Sequence, residues 1–176
     1  VLAAWVPYII SAQKFLSGGV QEFNVGTIWL HVDGISLLMA GCVLFLGTLV
    51  VLFSGSYMME EVGEEKYYAM LLAMMGLMIG LVTTGDLFNL WVWFEGMAIS
   101  SYLLVAFYRE QAASLEAGMK YLVQSATGSV LVLIGIAMVL TQTGTFNMAE
   151  IAEAVSGSVV SRIAVLGAGA LFVIGF

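Results

Sequence analysis

Apolar runs separated by short polar connections dominate the chain. They recur at residues 34–53, 67–84, 86–108 and 116–141, with a shorter run at each end, 1–12 and 161–176. A bilayer-crossing helix needs about 20 mostly apolar residues and a barrel strand about 10, so these runs predict helices. Residues 1–33 read as the end of a transmembrane helix, open to a kink at Pro7, followed by a surface connection. Residues 34–176 read as the transmembrane bundle, with its last span, 161–176, truncated. The predicted class is all-α, a polytopic transmembrane helix bundle.

Within residues 13–33, FNVGTIWLHVDG alternates enough to predict a short extended segment over the membrane surface. Asp33 is a candidate N-cap for the span that follows. Thr83-Thr84-Gly85-Asp86 predicts a tight reversal, with Gly85 left-handed and Asp86 capping the next helix. Gln142 to Ser161 reads as a loop holding a short helix, NMAEIAEA, with Asn147 as N-cap and Glu150 at the third position. Ala69, Ala73, Gly76 and Gly80 share one helical face and predict close packing on a neighbour, as do Gly96 and Ser100. Phe88, Trp91, Trp93 and Phe94 cluster near a helix start, as in an interfacial aromatic belt.

Composition agrees with the pattern. Hydrophobic residues make up 61 % of the 176, charged residues 10 %, and the mean hydropathy is +1.04. A soluble domain carries about 25 % charged residues. The net charge of −7 comes mostly from loop acids such as Glu60, Glu61, Glu64 and Glu65, which speaks against a nucleic-acid partner or a polybasic lipid patch. Cys42 is alone, so no internal disulfide forms. The opening VLAAWVPYII lacks an initiator Met and a basic region, so it is not a signal peptide, and the chain reads as an internal fragment of a longer one. Lys66 and Arg109 on one side nearly balance Lys14 and Arg162 on the other, so orientation stays open.

Candidate chemistry centres on Glu95. Numbered from Asp86 it lies nine residues into its span, about 13–14 Å deep. A charge at such depth costs roughly 2.5–3.5 kcal/mol, so it is expected to face a protein interior or a wet path and to carry ions or protons. On the next span Glu116, Lys120, Gln124 and Thr127 form a polar stripe on one face. Two readings of Lys120 stand. It pairs with Glu116 and snorkels to the surface, or it belongs to a buried polar chain and hands on a proton. Asp86 and His31 are possible accessory groups, His31 reading first as an interfacial residue. The sequence holds no Cys cluster, paired His or phosphate loop, so no cofactor or metal is expected in this chain and redox chemistry is expected in partner subunits. No nucleophile–base pair or metal set supports an intramembrane enzyme.

GDLFNLWVWFEGMAISSYLL, then GMKYLVQSATGSVLVLIGI, then TGTFNMAEIA resembles the antiporter-like subunits shared by respiratory complex I, Mrp-type cation/proton antiporters and membrane-bound hydrogenases. The resemblance covers about Tyr67 to Ala152. It implies a fragment of an inverted-repeat fold, with most of the first repeat and none of the second. It also implies that Glu95 is the family's fifth-helix Glu and Lys120 its sixth-helix Lys. A seventh-helix Lys that normally pairs with the Glu would lie beyond Phe176. The implied function is proton (or Na⁺) translocation through a Glu/Lys charge relay, within an energy-transducing or prokaryotic cell membrane and among other membrane subunits. The alternative is a structural membrane subunit in which Glu95 only bridges helices.

Overall fold

A computed structural model describes all residues except 26, 27, 60, 158 and 159. Glu60 of the acidic loop, and the centre of the extended segment at Gly26, lie outside the described residues. After a short 3₁₀ turn the order is α1 (Trp5–Gly18), β1 (Gln21–Val25), β2 (Ile28–Val32), α2 (Gly34–Met58), α3 (Glu64–Thr83), α4 (Leu87–Val105), α5 (Ala112–Thr143), α6 (Met148–Ser156) and α7 (Arg162–Gly175). Among the described residues three helices, α2, α3 and α5, are long and apolar enough to cross a membrane. α4, with 19 residues, is long enough as well, but Asn89, Glu95, Ser100 and Ser101 dilute its apolar character.

Helices α1 to α5 pack in chain order, each running back along the one before, and α7 packs on α5. Trp5 Nε1 donates to Thr48 Oγ1 (3.1 Å) between α1 and α2, and Ser54 Oγ meets the Tyr68 hydroxyl (3.3 Å) between α2 and α3. Between α3 and α4 the Trp93 ring covers Gly80, Leu77 covers Gly96 and the Ser101 hydroxyl reaches Met74 Sδ (3.5 Å). Leu44, Val132 and Ile136 are the largest fully buried side chains.

The expected extended segment is an antiparallel hairpin, with Glu22 opposite His31 and Asn24 opposite Trp29. It is stitched to the helix ends beside it. Gly85 N–H donates to Trp29 O (2.9 Å), Met148 N–H to Gly85 O (3.1 Å), and Leu87 N–H to Phe146 O (2.9 Å). The hairpin, the α3–α4 corner and the α5–α6 corner thus form one cap over one end of the bundle. Asp86 does cap α4, accepting from Asn89 N–H (2.8 Å). Gly85 is not left-handed, however. The positive-φ glycines among the described residues are Gly19, Gly63 and Gly144, because the Gly85 peptide is held extended by its bonds to the hairpin and to Met148.

Other expectations shift for physical reasons. α2 and α3 run past the apolar stretch at the acidic loop, because Glu64 and Glu65 sit in the first turn of α3, where carboxylates suit the helix dipole. On α3 the small-residue face is open: Ala69, Ala73 and Gly76 are exposed, nothing approaches Gly76, and only Gly80 is covered. The close approach lies instead between α5 and α7, where Gly128 faces the Gly175 carbonyl and Gly135 faces Phe172.

Asp33 makes a reciprocal cap on α2. Its Oδ1 accepts from Ser36 N–H (2.7 Å), and Asp33 N–H donates to Ser36 Oγ (2.7 Å). The Ser36 N–H, aided by its hydroxyl and by His31, holds the Asp33 carboxyl below the ordinary carboxylate value, against a smaller opposing effect of burial. A lowered folded value means the stabilisation is complete above the unfolded pKa, near 4, and fades as pH falls through the folded one. Asp33→Ala is therefore expected to lose about 1 kcal/mol of stability at pH 7. The deficit should shrink below about pH 4 in thermal melts taken across pH; a deficit equal at all pH values would exclude the ionised cap.

Candidate functional site

Glu95 lies eight residues from the start of α4 and ten from its end, roughly 12 and 15 Å along the axis. It is half-buried. Its Oε2 accepts a short hydrogen bond from the Ser129 hydroxyl of α5. Trp91, one turn before Glu95, donates Nε1–H to the same Ser129 oxygen (2.8 Å) and sits 3.3 Å from the Ser129 carbonyl. Residues four apart share a helix face, so Trp91 and Glu95 grip Ser129 from above and below. Ser129 itself is 4 % exposed.

Trp91 and Ser129 were not legible as a pair. Trp91 reads as belt material in the sequence, yet its ring is drawn inward. It lies 5.7 Å from Phe88, which in turn lies 5.6 Å from Phe146 of the cap. Trp93 also leaves the expected belt, packing on Gly80 with its indole nitrogen buried and unpartnered among the described residues. The hint at Ser129 is its place in an apolar stretch, nine residues after Lys120 and so on the opposite helical face.

That half-turn offset also separates Lys120 from Glu95. α4 and α5 run antiparallel, with Gly118 against Ala106 and Ser129 against Trp91 and Glu95. Lys120 is therefore level with the end of α4, about 13–14 Å along the axis from Glu95. Its Nζ donates to Glu116 Oε1 at 2.6 Å, with both side chains mostly exposed, at 76 % and 66 %. Gln124 and Thr127 continue this exposed stripe, and the Thr127 hydroxyl turns back to Val123 O (2.8 Å). The contact with Glu116 that the first reading of Lys120 expects is thus present. An exposed i,i+4 pair contributes about 0.3–0.5 kcal/mol. Lys120→Ala is expected to leave the melting temperature nearly unchanged; a loss of several degrees would mean that the lysine is buried.

His31 is on the hairpin, its Nδ1 3.5 Å from Glu22 Oε1 with both groups well exposed. It borders a cleft of about 220 Å³ beside Thr84, Gly85 and Asn147. Asp86 serves as a cap at the same end, about 13–14 Å from Glu95 along the axis. The structure thus joins Glu95 to Ser129 and Trp91, and leaves Lys120, Glu116, Gln124, Asp86 and His31 apart from it.

The family described as "NADH:quinone oxidoreductase/Mrp antiporter, TM" matches residues 84–176, which include the whole Trp91–Ser129–Glu95 cluster. The chain belongs to this family. Residues 20–68 match the N-terminal part of chain 5 of NADH-ubiquinone oxidoreductase, complex I. This antiporter-family chain is 32 % identical over 162 residues to NADH-quinone oxidoreductase subunit N 2 of Symbiobacterium thermophilum, covering 89 % of the chain and 32 % of that protein. It is 29 % identical to the chloroplastic NAD(P)H-quinone oxidoreductase subunit 5 of Adiantum capillus-veneris, covering 86 % and 22 %. It is 33 % identical to the Na(+)/H(+) antiporter subunit A1 of Staphylococcus aureus, covering 68 % and 15 %. A chain of the archaeal membrane-bound sulfane sulfur reductase superposes with a TM-score of 0.75 at 28 % identity, covering 97 % and 36 %. The chain spans about a third or less of these proteins' length. With its apolar helices, membership makes it a multi-pass integral membrane protein.

Proposed function

We propose that the chain is part of a proton-translocating antiporter-like subunit, working among other membrane subunits of a complex I-like, hydrogenase-like or Mrp-type assembly. The observation that carries this reading is Glu95 at mid-depth of α4, turned to a buried hydroxyl on α5 and not left without a polar companion. In this reading Glu95 takes up and releases the proton, and a positive charge governs when. Lys120 is a second station that acts through its field, not by contact. While Lys120 is paired with Glu116 the two charges largely cancel at Glu95; once that pair opens, a unit charge at roughly 15 Å and an effective dielectric of about 20 contributes about 1 kcal/mol, a several-fold bias. The test is proton uptake by proteoliposomes holding the intact parent complex, wild type against Glu95→Gln. Unimpaired uptake by the variant would overturn the proposal.

A second reading has an observation of its own. The Glu95–Ser129 bond joins α4 to α5, so a purely structural bridge is possible chemistry for the same pair. It expects Glu95→Gln to transport normally, since an amide oxygen accepts the same bond.

A further inference from the structure

We infer that Ser129, aligned by Trp91, is the positioning residue of Glu95: it fixes the carboxylate and stabilises its charged form away from water. This inference rests on the reading of Glu95 as the proton carrier. The chemistry follows from donor and acceptor counts. An indole N–H can only donate, and a serine hydroxyl has one hydrogen and two lone pairs. With Trp91 Nε1–H occupying a lone pair of Ser129 Oγ, the hydroxyl hydrogen is the part left to face Glu95, and it does face Oε2. A hydroxyl that donates to an ionised carboxylate makes a charge-assisted bond, about twice as strong as a neutral one.

The hydroxyl has no competing partner among the described residues. Elsewhere in these helices serines and threonines turn back to a carbonyl one turn earlier, as Ser100 does to Gly96 and Thr127 to Val123. Ser129 instead reaches across to α4. Its burial at 4 % keeps water from replacing it. Gly128 beside it lets α5 sit close to α7, which fixes the depth of Ser129 in the bundle. Proton arrival at Glu95 then converts a charged hydrogen bond to a neutral one, and the hydroxyl restores the charged bond when the proton leaves. The carboxyl O–H of Glu95 is the one covalent bond made on uptake and broken on release; the Ser129 O–H stays intact.

The test compares the intact complex carrying Ser129→Ala, Ser129→Thr, Ser129→Val and Trp91→Phe. Ser129→Ala and Ser129→Val are expected to lower proton turnover about 10-fold, the scale of one hydrogen bond to a charged group. Ser129→Thr, which keeps the hydroxyl and is nearly the shape of Val, should restore it, and this pair stands if the Ala variant fails to assemble. Trp91→Phe should lower turnover a few-fold. An infrared readout is independent of rate. The carbonyl band of protonated Glu95, identified by its loss in Glu95→Gln, should move to higher wavenumber in Ser129→Val and return in Ser129→Thr. An unmoved band, or equal turnover in the Thr and Val variants, overturns the inference even where Glu95→Gln is inactive. Normal transport by Glu95→Gln instead overturns the proton-carrier reading itself.

Discussion

Glu95→Gln is expected to cut proton translocation by the parent complex on the order of 100-fold or more, the scale on which removing a positioned proton-transferring side chain acts. The same variant should assemble at least as well as wild type. Gln has nearly the shape of Glu, and its amide oxygen can accept the Ser129 hydroxyl, so the α4–α5 link survives. It also removes any cost of holding a charge at mid-depth, roughly 2.5–3.5 kcal/mol on an insertion scale. Loss of flux in the face of unchanged assembly would be hard to reconcile with a structural bridge. Glu95→Leu gives the converse information. It strands the hydrogen of the buried Ser129 hydroxyl, at about 1–3 kcal/mol, while Trp91 N–H keeps Ser129 as its acceptor, so it should lose both flux and thermal stability. Native gels and melts of the two variants, read beside the flux, separate a carried proton from a lost contact.

Glu95 could be read from the sequence because an acid in an apolar run has few other uses. The caps at Asp33, Asp86 and Asn147 could be read for a similar reason, since each stands just before a helix and its oxygen has a local N–H to accept. Companions across a helix interface were harder. Ser129 looks like any serine in a membrane helix until α4 and α5 are placed side by side. The polar stripe of Lys120 is visible in the spacing, but the spacing says nothing about which face meets α4. The structure gives that face to Ser129 and turns Lys120 outward with Glu116. The hairpin is partly legible in alternation, yet its hold on Gly85 is a matter of backbone bonds that no side chain announces.

Glycine shows the same limit and leads to the second large effect. The GxxxG pair on α3 is the conspicuous pattern, but Gly76 faces open space, while Gly128 and Gly175 stand 47 residues apart in the sequence and meet only in three dimensions. A Cβ on Gly128 would lie 2.5 Å from the Gly175 carbonyl oxygen, and one on Gly175 would lie 2.7 Å from the Gly128 oxygen and 3.1 Å from Val132 N. These neighbours are backbone, which cannot rotate aside as a side chain does. Overpacking of this kind costs typically 1–3 kcal/mol, and here a branched side chain must push α7 away bodily. Gly128→Val is therefore expected to lose about 3 kcal/mol or more, read as the fraction folded in a detergent–denaturant titration. Gly76→Ala, with nothing near it and a gain in helix propensity of up to about 1 kcal/mol, should be neutral or stabilising. Because Ser129 follows Gly128 directly, the displaced α5 should also lose its grip on Glu95, so flux should fall with stability in the first variant and in neither respect in the second. Wild-type stability in Gly128→Val would mean that α5 and α7 do not cross at these glycines, and the depth assigned to Ser129 would lose its support.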